Sequence, residues 1–219
     1  MNTPTNWAER LTEAVREAGL ESLPDGASAQ FAAYLELLLK WNSRLNLTAI
    51  RNPEEILRRH FLESIECALA LPAVAELPAA TVLDLGSGAG FPGIPVAILR
   101  PEITVTLAES QAKKSSFLRE VVRTLGLNAR VHDGRIETMP EAQYFGAVTL
   151  RAVDKMVEAT SLAAKRVASG GYLVLFATET TQAAVKEAVS AVQPGLIWLE
   201  NLPIRSSGHG FLLKGHLPA

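Results

Sequence analysis

Hydrophobic residues recur at helical spacing through the first third of the chain. Residues at i, i+3, i+4 and i+7 share one face of an α-helix, so this spacing predicts amphipathic helices with one buried side. The pattern predicts three helices, at residues 7–17, 29–40 and 53 to about 71. Since no segment here alternates as a strand does, we expect a small N-terminal helical cap over residues 1–75.

From residue 81 the pattern changes to short apolar runs of β type that alternate with helical segments. This alternation is typical of an α/β fold whose parallel strands are joined by right-handed crossovers. The predicted strands are 81–85, 105–109, 129–132, 147–150 and 172–176, with an antiparallel closing pair near 197–201 and 211–214. The predicted helices are 93–99, 113–125, 154–167 and 181–192. We therefore expect a second domain over residues 76–219 with a seven-stranded, mostly parallel sheet.

A glycine-rich loop follows the first predicted strand. Its glycines are Gly86, Gly88, Gly90 and Gly93. Glycine accepts positive φ and lets a ligand approach the backbone, and the start of the next helix adds unpaired N–H groups and a partial positive charge. Residues 88–93 also fit the GxGxxG pattern of dinucleotide folds, which is a weak match by itself. The loop predicts a nucleotide-like ligand.

Acidic residues lie at the ends of the first two strands. Asp84 precedes the glycine loop, where a buried carboxylate is costly unless it fixes the loop or meets a cationic group. A pyrophosphate does not explain this acid. Glu109 ends the second strand, where an acid can accept hydrogen bonds from ribose hydroxyls. Together with Gly86, Gly88 and Gly90 these acids resemble the class I S-adenosylmethionine-dependent methyltransferases.

Two other interpretations of the loop stay open at this point. The glycines could serve tight packing alone, or the loop could belong to an NAD(P)-binding oxidoreductase. Phe91, within the loop, is either a core residue or an adenosine contact.

The remaining candidates for the ligand site follow the later strands. In doubly wound sheets the ligand lies beyond the carboxyl ends of the strands, where the strand order reverses. This rule places loop 133–137 and Arg151 beside Glu109 and the glycines. Ile136 and Glu137 lie where adenine is expected, and Arg151 lies where a transferred methyl group should emerge.

Polar residues are concentrated around the link between the second and third predicted helices. Asn42, Asn46, Arg59 and His60 are candidates for binding a substrate, and Arg123 faces outward from a later helix. Asparagine also caps helices and closes turns, arginine often lies on a solvated face, and His60 could be a core or cap histidine. Both interpretations stay open for each residue.

Composition limits the class of protein. The 219 residues are 48% hydrophobic and 20% charged, which is typical of a globular chain. Cys67 is the only cysteine, so no internal disulfide is possible, and the first ten residues lack a signal-peptide pattern. We expect a cytoplasmic protein without a membrane segment. The net charge of −2 argues against a protein that coats nucleic acid, although a local basic patch could bind one RNA site.

Six runs of residues resemble the RsmG (GidB) family of bacterial small-subunit ribosomal RNA methyltransferases, which make N7-methylguanosine. They are Trp41-Asn-Ser-Arg-Leu-Asn-Leu-Thr48, Arg59-His-Phe-Leu-Glu-Ser64, Asp84-Leu-Gly-Ser-Gly-Ala-Gly-Phe-Pro-Gly-Ile-Pro95, Glu109-Ser-Gln-Ala-Lys-Lys-Ser-Ser-Phe-Leu118, Arg135-Ile-Glu137 and Arg151-Ala-Val153. The glycine loop that ends in Phe-Pro-Gly-Ile-Pro is far more specific than GxGxxG.

The resemblance implies a cofactor and a partner. The cofactor is S-adenosylmethionine, with contacts from Gly86, Phe91, Ile136, Glu137 and Arg151. The partner is 16S rRNA within the small ribosomal subunit, and the target is a guanosine in a hairpin loop near the decoding region. We expect a monomer without a metal ion, and the sequence identifies no catalytic acid or base.

The C-terminal part departs from the family pattern. A lysine-glycine pair is expected after residues 172–179, and only Lys214-Gly215 looks comparable. Two further alternatives are a ribosome-assembly factor without catalysis and a small-molecule methyltransferase. For Arg151→Ala we expect a sharp loss of methylation with folding nearly intact.

Overall fold

The computed structural model describes residues 5–153 and 155–219. The α-helices are α1 (Trp7–Glu17), α2 (Ala27–Asn42), α3 (Pro53–Ile56), α4 (Glu63–Ala70), α5 (Gly93–Leu99), α6 (Ala112–Leu125), α7 (Met156–Ala164) and α8 (Glu179–Val192). The helices occupy the predicted segments. The predicted start of one helix, Asp154, lies outside the described residues. The predicted end of that helix, Val167, is wrong because Val167 already begins a strand.

The third predicted helix of the cap is not a uniform α-helix. A π-helical segment, Leu57–Leu62, lies between α3 and α4 and carries Arg59 and His60. A π turn holds more residues than an α turn, so it rotates the residues that follow around the helix axis. Leu69, which follows this segment in α4, is 46% exposed. Single π turns are frequently found at functional sites.

The sheet has eight strands rather than the expected seven. They are β1 (Thr81–Leu85), β2 (Thr104–Glu109), β3 (Ala129–Asp133), β4 (Phe145–Leu150), β5 (Val167–Ala177), β6 (Ile197–Trp198), β7 (Leu202–Pro203) and β8 (Phe211–His216). The order is β3-β2-β1-β4-β5-β8-β6, and β7 also pairs with β8. The predicted stretch 197–201 is a strand only at 197–198 (β6), and β7 begins just after its end; each pairs antiparallel with β8. Strands β1 to β5 are parallel, and β8 is antiparallel to β5.

The cap and the sheet share one hydrophobic core. Residues of α1, α2 and the third cap helix form one cluster with α5, α6 and one face of the sheet, while α7 and α8 cover the other face. The Tyr34 hydroxyl donates to the carbonyl of Ala89 in the glycine loop at 2.5 Å. Glu66 accepts the backbone N–H groups of Arg205 and Ser206 at 2.8 and 2.9 Å. The division at residue 75 stays a prediction, and these contacts hold the cap against the sheet.

Chain order reverses at β1, which lies between β2 and β4. Crossover connections leave to opposite sides at such a point, and a crevice opens at the carboxyl ends of the strands. The glycine loop starts at this point. Among the described residues, no helix combines the length and the apolar character needed to cross a membrane.

Candidate functional site

The glycine loop is fixed by backbone hydrogen bonds to β2. The N–H groups of Gly86 and Ser87 both donate to the carbonyl of Ala108, at 2.9 and 3.0 Å. Gly86 has φ +72°, and a Cβ there would lie 2.5 Å from Val153 Cγ1. Gly88 has φ +58°, and a Cβ there would lie 3.8 Å from the carbonyl oxygen of Gly86, with no described side chain within 4 Å. The positive φ favours glycine at both positions, and Gly86, but not Gly88, lines the crevice described below.

Asp84 supports this loop from behind. The side chain is 0% exposed, its Oδ2 accepts the N–H of Gly93 at 3.1 Å, and its Oδ1 accepts the hydroxyl of Thr149 at 3.0 Å. Burial raises the pKa of Asp84 to about 6, and the hydrogen bonds oppose this shift. Of the two roles considered for this buried acid, fixing the loop fits its contacts. A side chain with no exposed surface does not contact a ligand in the crevice.

The same carboxylate covers the start of α5. Gly93 is the first residue of that helix, and its N–H is used by Asp84. A dinucleotide pyrophosphate binds at this helix end in Rossmann folds. The buried carboxylate therefore disfavours the pyrophosphate that the NAD(P) alternative requires.

Glu109 lies between the loop and the crevice. It is 6% exposed, its Oε2 accepts the N–H of Gly88 at 2.9 Å, and its Oε1 accepts the N–H of Gln111 at 2.8 Å. A carboxylate offers about four lone-pair positions. Two of them remain for hydroxyl donors from a ligand, as the predicted ribose contact requires.

A crevice of about 340 Å³ opens beside these residues. Ligand pockets in proteins measure roughly 300–1,000 Å³. Four predicted residues line the crevice: Gly86, Glu109, Ile136 and Glu137. A larger depression of about 850 Å³ lies on the outer side of α1, and none of its lining residues is glycine or follows a strand. We therefore place the ligand site in the smaller crevice.

Sequence reasoning missed one wall of the crevice. The loop after β4 and helix α7 supply Val153, Lys155, Glu158, Ala159 and Leu162. Ala152 and Lys155 have φ values of +47° and +54°, which turn this loop without glycine. No sequence signal identifies such a turn, because non-glycine residues adopt positive φ only rarely.

Phe91 and Gly90 belong to the core rather than to the crevice. Phe91 is 7% exposed, and its ring centroid lies 4.8 Å from that of His60 and 5.4 Å from that of Tyr34. A Cβ on Gly90 would lie 2.5 Å from Ile94 Cγ1 and 2.9 Å from the Tyr34 hydroxyl. Of the two roles considered for Phe91, the core role fits, and Gly90 allows close packing of the cap.

Arg151 joins the sheet to the cap. Its Nη2 donates to a carboxylate oxygen of Glu63 and, at 2.6 Å, to the carbonyl of Arg59. The side chains of Arg151 and Glu63 are 11% and 9% exposed. Burial lowers the pKa of Arg151, and the Glu63 carboxylate opposes this effect. The expectation that Arg151→Ala leaves folding nearly intact is not supported, because the substitution would take a partner from a buried carboxylate.

The Arg151 guanidinium has nitrogen atoms that make no hydrogen bond to any residue that the structure describes. Within residues 5–153 and 155–219, the Arg151 guanidinium has hydrogen-bond partners only for Nη2. Its carbon lies 5.1 Å from the ring centroid of Phe176 and 6.0 Å from that of Phe91. Nε and Nη1 therefore have no partner among the described residues, and Arg151 is not one of the residues that line the crevice.

The cap candidates separate into supporting and exposed residues. Asn42 is 4% exposed; its side chain accepts the N–H groups of Leu47 and Thr48 and donates to the Thr48 carbonyl. Asn42 therefore closes the turn after α2, and its burial does not fit the predicted substrate contact. Asn46 is exposed and accepts from Arg51 at 3.0 Å.

The two candidate arginines are on the surface. The side chain of Arg59 is 54% exposed and lies 3.6 Å from Glu63 in an ion pair. Arg123 is exposed on α6, as the helical pattern predicted. Neither residue lines the crevice. Their contact with a substrate stays a prediction.

His60 is a half-buried, neutral histidine in the π-helical segment. Its Nε2 lies 2.8 Å from the Thr48 hydroxyl, and its ring stacks on Phe91. Burial lowers the pKa of His60 to about 3, and the positive charges of Arg151 and Arg59 add to this effect. His60 therefore lies beside the glycine loop without a positive charge.

The low pKa of His60 predicts a loss of stability in acid. Between an ordinary histidine value of roughly 6.5 and about 3, the unfolded state binds a proton that the folded state does not. The free energy of unfolding therefore falls as pH falls through this window, by up to about 1.4 kcal/mol for each pH unit. We expect His60→Gln to remove this contribution. Urea unfolding of both proteins at several pH values between 4 and 7 measures it, and equal pH slopes would contradict the assignment.

Comparison with known sequences identifies the family. The sequence model described as GidB, rRNA small subunit methyltransferase G, matches residues 27–216, which include the C-terminal part that departs from the expected pattern. Several relatives carry the name ribosomal RNA small subunit methyltransferase G. That of Stenotrophomonas maltophilia (strain R551-3) is 40% identical over 172 residues, which is 78% of this chain and 77% of the relative. That of Xanthomonas euvesicatoria pv. vesicatoria (strain 85-10) is 41% identical over 164 residues, or 74% of each chain.

A solved structure supports the fold class. The chain is similar to the glycopeptide N-methyltransferase MtfA complexed with S-adenosyl-L-methionine, with a TM-score of 0.54 and 14% identity. The match covers 73% of this chain and 88% of that one. At this identity the similarity shows the fold alone, and it confirms the predicted fold class, that of the class I methyltransferases.

Proposed function

The chain belongs to the family of rRNA small subunit methyltransferase G, and on this premise we propose that it transfers a methyl group from S-adenosylmethionine to N7 of a guanosine in 16S rRNA. The observation that carries the proposal is the crevice at the carboxyl ends of β1 and β2. There Gly86, the Glu109 carboxylate with its free lone pairs and an apolar wall lie together, and that carboxylate also accepts the N–H of Gly88.

These residues fit the cofactor. S-adenosylmethionine supplies an electrophilic methyl group on a positively charged sulfur. Glu109 would accept hydrogen bonds from the ribose hydroxyls, and Ile136 would pack against adenine beside Leu162. The backbone around Gly88 has space for the remainder because no side chain stands there. Asp84 would hold the loop in this shape from behind.

The chemistry at N7 requires no general base. Guanine N7 carries an in-plane lone pair on the edge that is exposed in the major groove. In the proposed transfer this lone pair would form the new N–C bond as the bond between carbon and sulfur breaks, and the electrons of the broken bond would stay on sulfur. No proton is removed, so the protein contributes mainly by holding the reacting atoms in line, which is worth several kcal/mol.

We assign guanine recognition to groups that leave N7 free. An arginine that bridged N7 and O6 would occupy the lone pair that must react. Nε and Nη1 of Arg151 can instead donate to O6 or to a phosphate. Four residues of the cap and of α6 are proposed to contact the RNA: Arg59, His60, Asn46 and Arg123. A base in a loop is accessible to these groups because it is not held in a duplex stack.

We further propose that the protein acts as a monomer on the small ribosomal subunit and needs no metal ion. A nucleophile that requires no deprotonation gains little from a Lewis acid. The cap, which lies beside Arg151, would face the RNA.

Methyl transfer to unmodified small subunits tests the proposal. The protein is incubated with labelled S-adenosylmethionine and small subunits or naked 16S rRNA, and N7 modification is then mapped by borohydride and aniline cleavage. We expect label in 16S rRNA and cleavage at one guanosine. Binding without label would favour an assembly factor, and label at another atom would contradict the N7 assignment.

Arg166 supports the segment that would hold adenine. Its guanidinium nitrogens lie 2.5–3.4 Å from five backbone carbonyls after β3. These carbonyls belong to Ile136, Met139, Pro140, Glu141 and Gln143. The side chain thus holds together the turn that carries Ile136 and Glu137.

We expect Arg166→Met to weaken binding of S-adenosylhomocysteine about tenfold or more, because five carbonyls lose their donor and the turn loosens. The rate at saturating S-adenosylmethionine should stay near the wild-type value. Calorimetry measures the affinity, and Lys165→Met at the exposed neighbouring position is the matched control. Unchanged affinity in Arg166→Met would contradict the role of this turn.

A further inference from the structure

A second cavity of about 480 Å³ lies between the end of α2 and the first half of α6. We call it the Trp41 groove. Its lining residues are Lys40, Trp41, Arg44, Leu45, Lys113, Ser116 and Glu120. None of them is assigned to the cofactor or to the target base.

The groove combines an indole with a basic rim. Trp41 is half-buried, its ring packs against Phe117 at 5.8 Å, and its Nε1 donates to Glu120 at 3.2 Å. Lys40, Arg44 and Lys113 are exposed. Within the described part of the chain, these three cations have no ion-pair partner.

The charge balance favours an anionic occupant. Three cations and one acid line the groove, and the acid accepts a hydrogen bond from the indole N–H. The net charge of the chain is −2, so this local excess of positive charge is not a property of the whole surface. Proteins that bind unpaired nucleotides combine an aromatic platform for the base with cations for the phosphates.

The groove is close to the crevice along the chain. Glu109 and Ser110 line the crevice, and Lys113, on the next turn of the chain, lines the groove. On the cap side, Asn42 follows Trp41 and holds Thr48, whose hydroxyl contacts His60. The two cavities are thus lined by neighbouring segments of the chain, and we expect one strand of RNA to span them.

We propose that the Trp41 groove binds an unpaired nucleotide that flanks the target guanosine, with its base against the indole and its phosphate between Arg44 and Lys113. This inference rests on the proposed function and adds a site that positions the RNA. The groove would add affinity for the RNA, and methyl transfer would take place at the crevice.

The double variant Arg44→Gln/Lys113→Gln tests the phosphate contacts. Each phosphate contact to a single strand contributes about 0.7 to the slope of log K against log salt. Because one phosphate loses both of its cations, we expect KM for 16S rRNA to rise roughly tenfold, the salt dependence to weaken by about 0.7 in that slope, and kcat to stay near the wild-type value. Arg16→Gln/Arg130→Gln removes two exposed charges elsewhere and is the matched control. A KM and a salt slope equal to those of the control would overturn the proposal.

Fluorescence tests the indole contact separately. Titration with a short oligouridylate should quench tryptophan emission in the wild type, and Trp41→Phe should lose most of this quenching while Trp7 and Trp198 remain. Equal quenching in both proteins, or none in the wild type, would overturn the stacking. Because this titration needs no methyl transfer, its outcome does not depend on whether the proposed reaction is correct. If the wild type methylates 16S rRNA and the groove variants have the same KM, salt slope and quenching as the wild type, the groove proposal is refuted and the proposed function is not.

Discussion

Arg151→Ala is expected to lower the free energy of unfolding by roughly 3–5 kcal/mol and to abolish most methyl transfer. The guanidinium and the Glu63 carboxylate are both nearly buried, and removing one partner leaves a buried charge. Arg59 still lies 3.6 Å from Glu63, which limits the cost to the lower part of this range. Urea unfolding measures the stability, and labelled methyl transfer measures the activity.

A second variant separates the two roles of Arg151. Arg151→Met/Glu63→Gln removes both charges and fills the space, so stability should largely return, as it does when buried ion pairs are replaced together. Activity should stay low because the free donors at Nε and Nη1 are gone. A double variant that regains both stability and full activity would show that Arg151 has a structural role only. An Arg151→Ala protein as stable as the wild type would contradict the buried pair.

Gly88→Val is expected to abolish detectable binding of S-adenosylhomocysteine, a loss of more than about a hundredfold. A Cβ at this position would meet no side chain of the described residues within 4 Å, so the valine would extend into the space where the cofactor is proposed to lie. A β-branched residue at φ +58° also strains the backbone by roughly 1–2 kcal/mol. Calorimetric titration measures the affinity.

Gly126→Val is the matched control for this prediction. Gly126 has φ +63° at the end of α6, and a Cβ there would meet nothing within 4 Å. The control should lose similar stability and keep the wild-type affinity. If both variants bind equally well, the cofactor does not lie against Gly88.

Much of the fold could be predicted because local patterns determine it. The period of 3.6 residues placed the cap helices, and short apolar runs placed the parallel strands. The π-helical segment and the division into the two short strands β6 and β7 were missed. Neither is visible in hydrophobic periodicity, since a π turn alters the register by one residue and β6 and β7 contain two residues each.

The candidate site was predicted less completely. Motif position correctly brought Gly86, Glu109, Ile136 and Glu137 to one crevice. The sequence left two roles open for Asp84 and for Phe91, because the choice depends on long-range packing: Asp84 bonds to Gly93 and Thr149, and Phe91 packs against the cap. The wall formed by α7 and the partnership of Arg151 with Glu63 are long-range contacts, and no local pattern encodes them.

The central claim is that the crevice beside Gly88 holds S-adenosylmethionine. Crystals of the protein soaked with S-adenosylhomocysteine test it most directly. The account predicts electron density with the ribose hydroxyls at Glu109, adenine against Ile136 and the sulfur directed toward Arg151. A crevice that stays empty in these crystals but fills with a pyridine dinucleotide would contradict it.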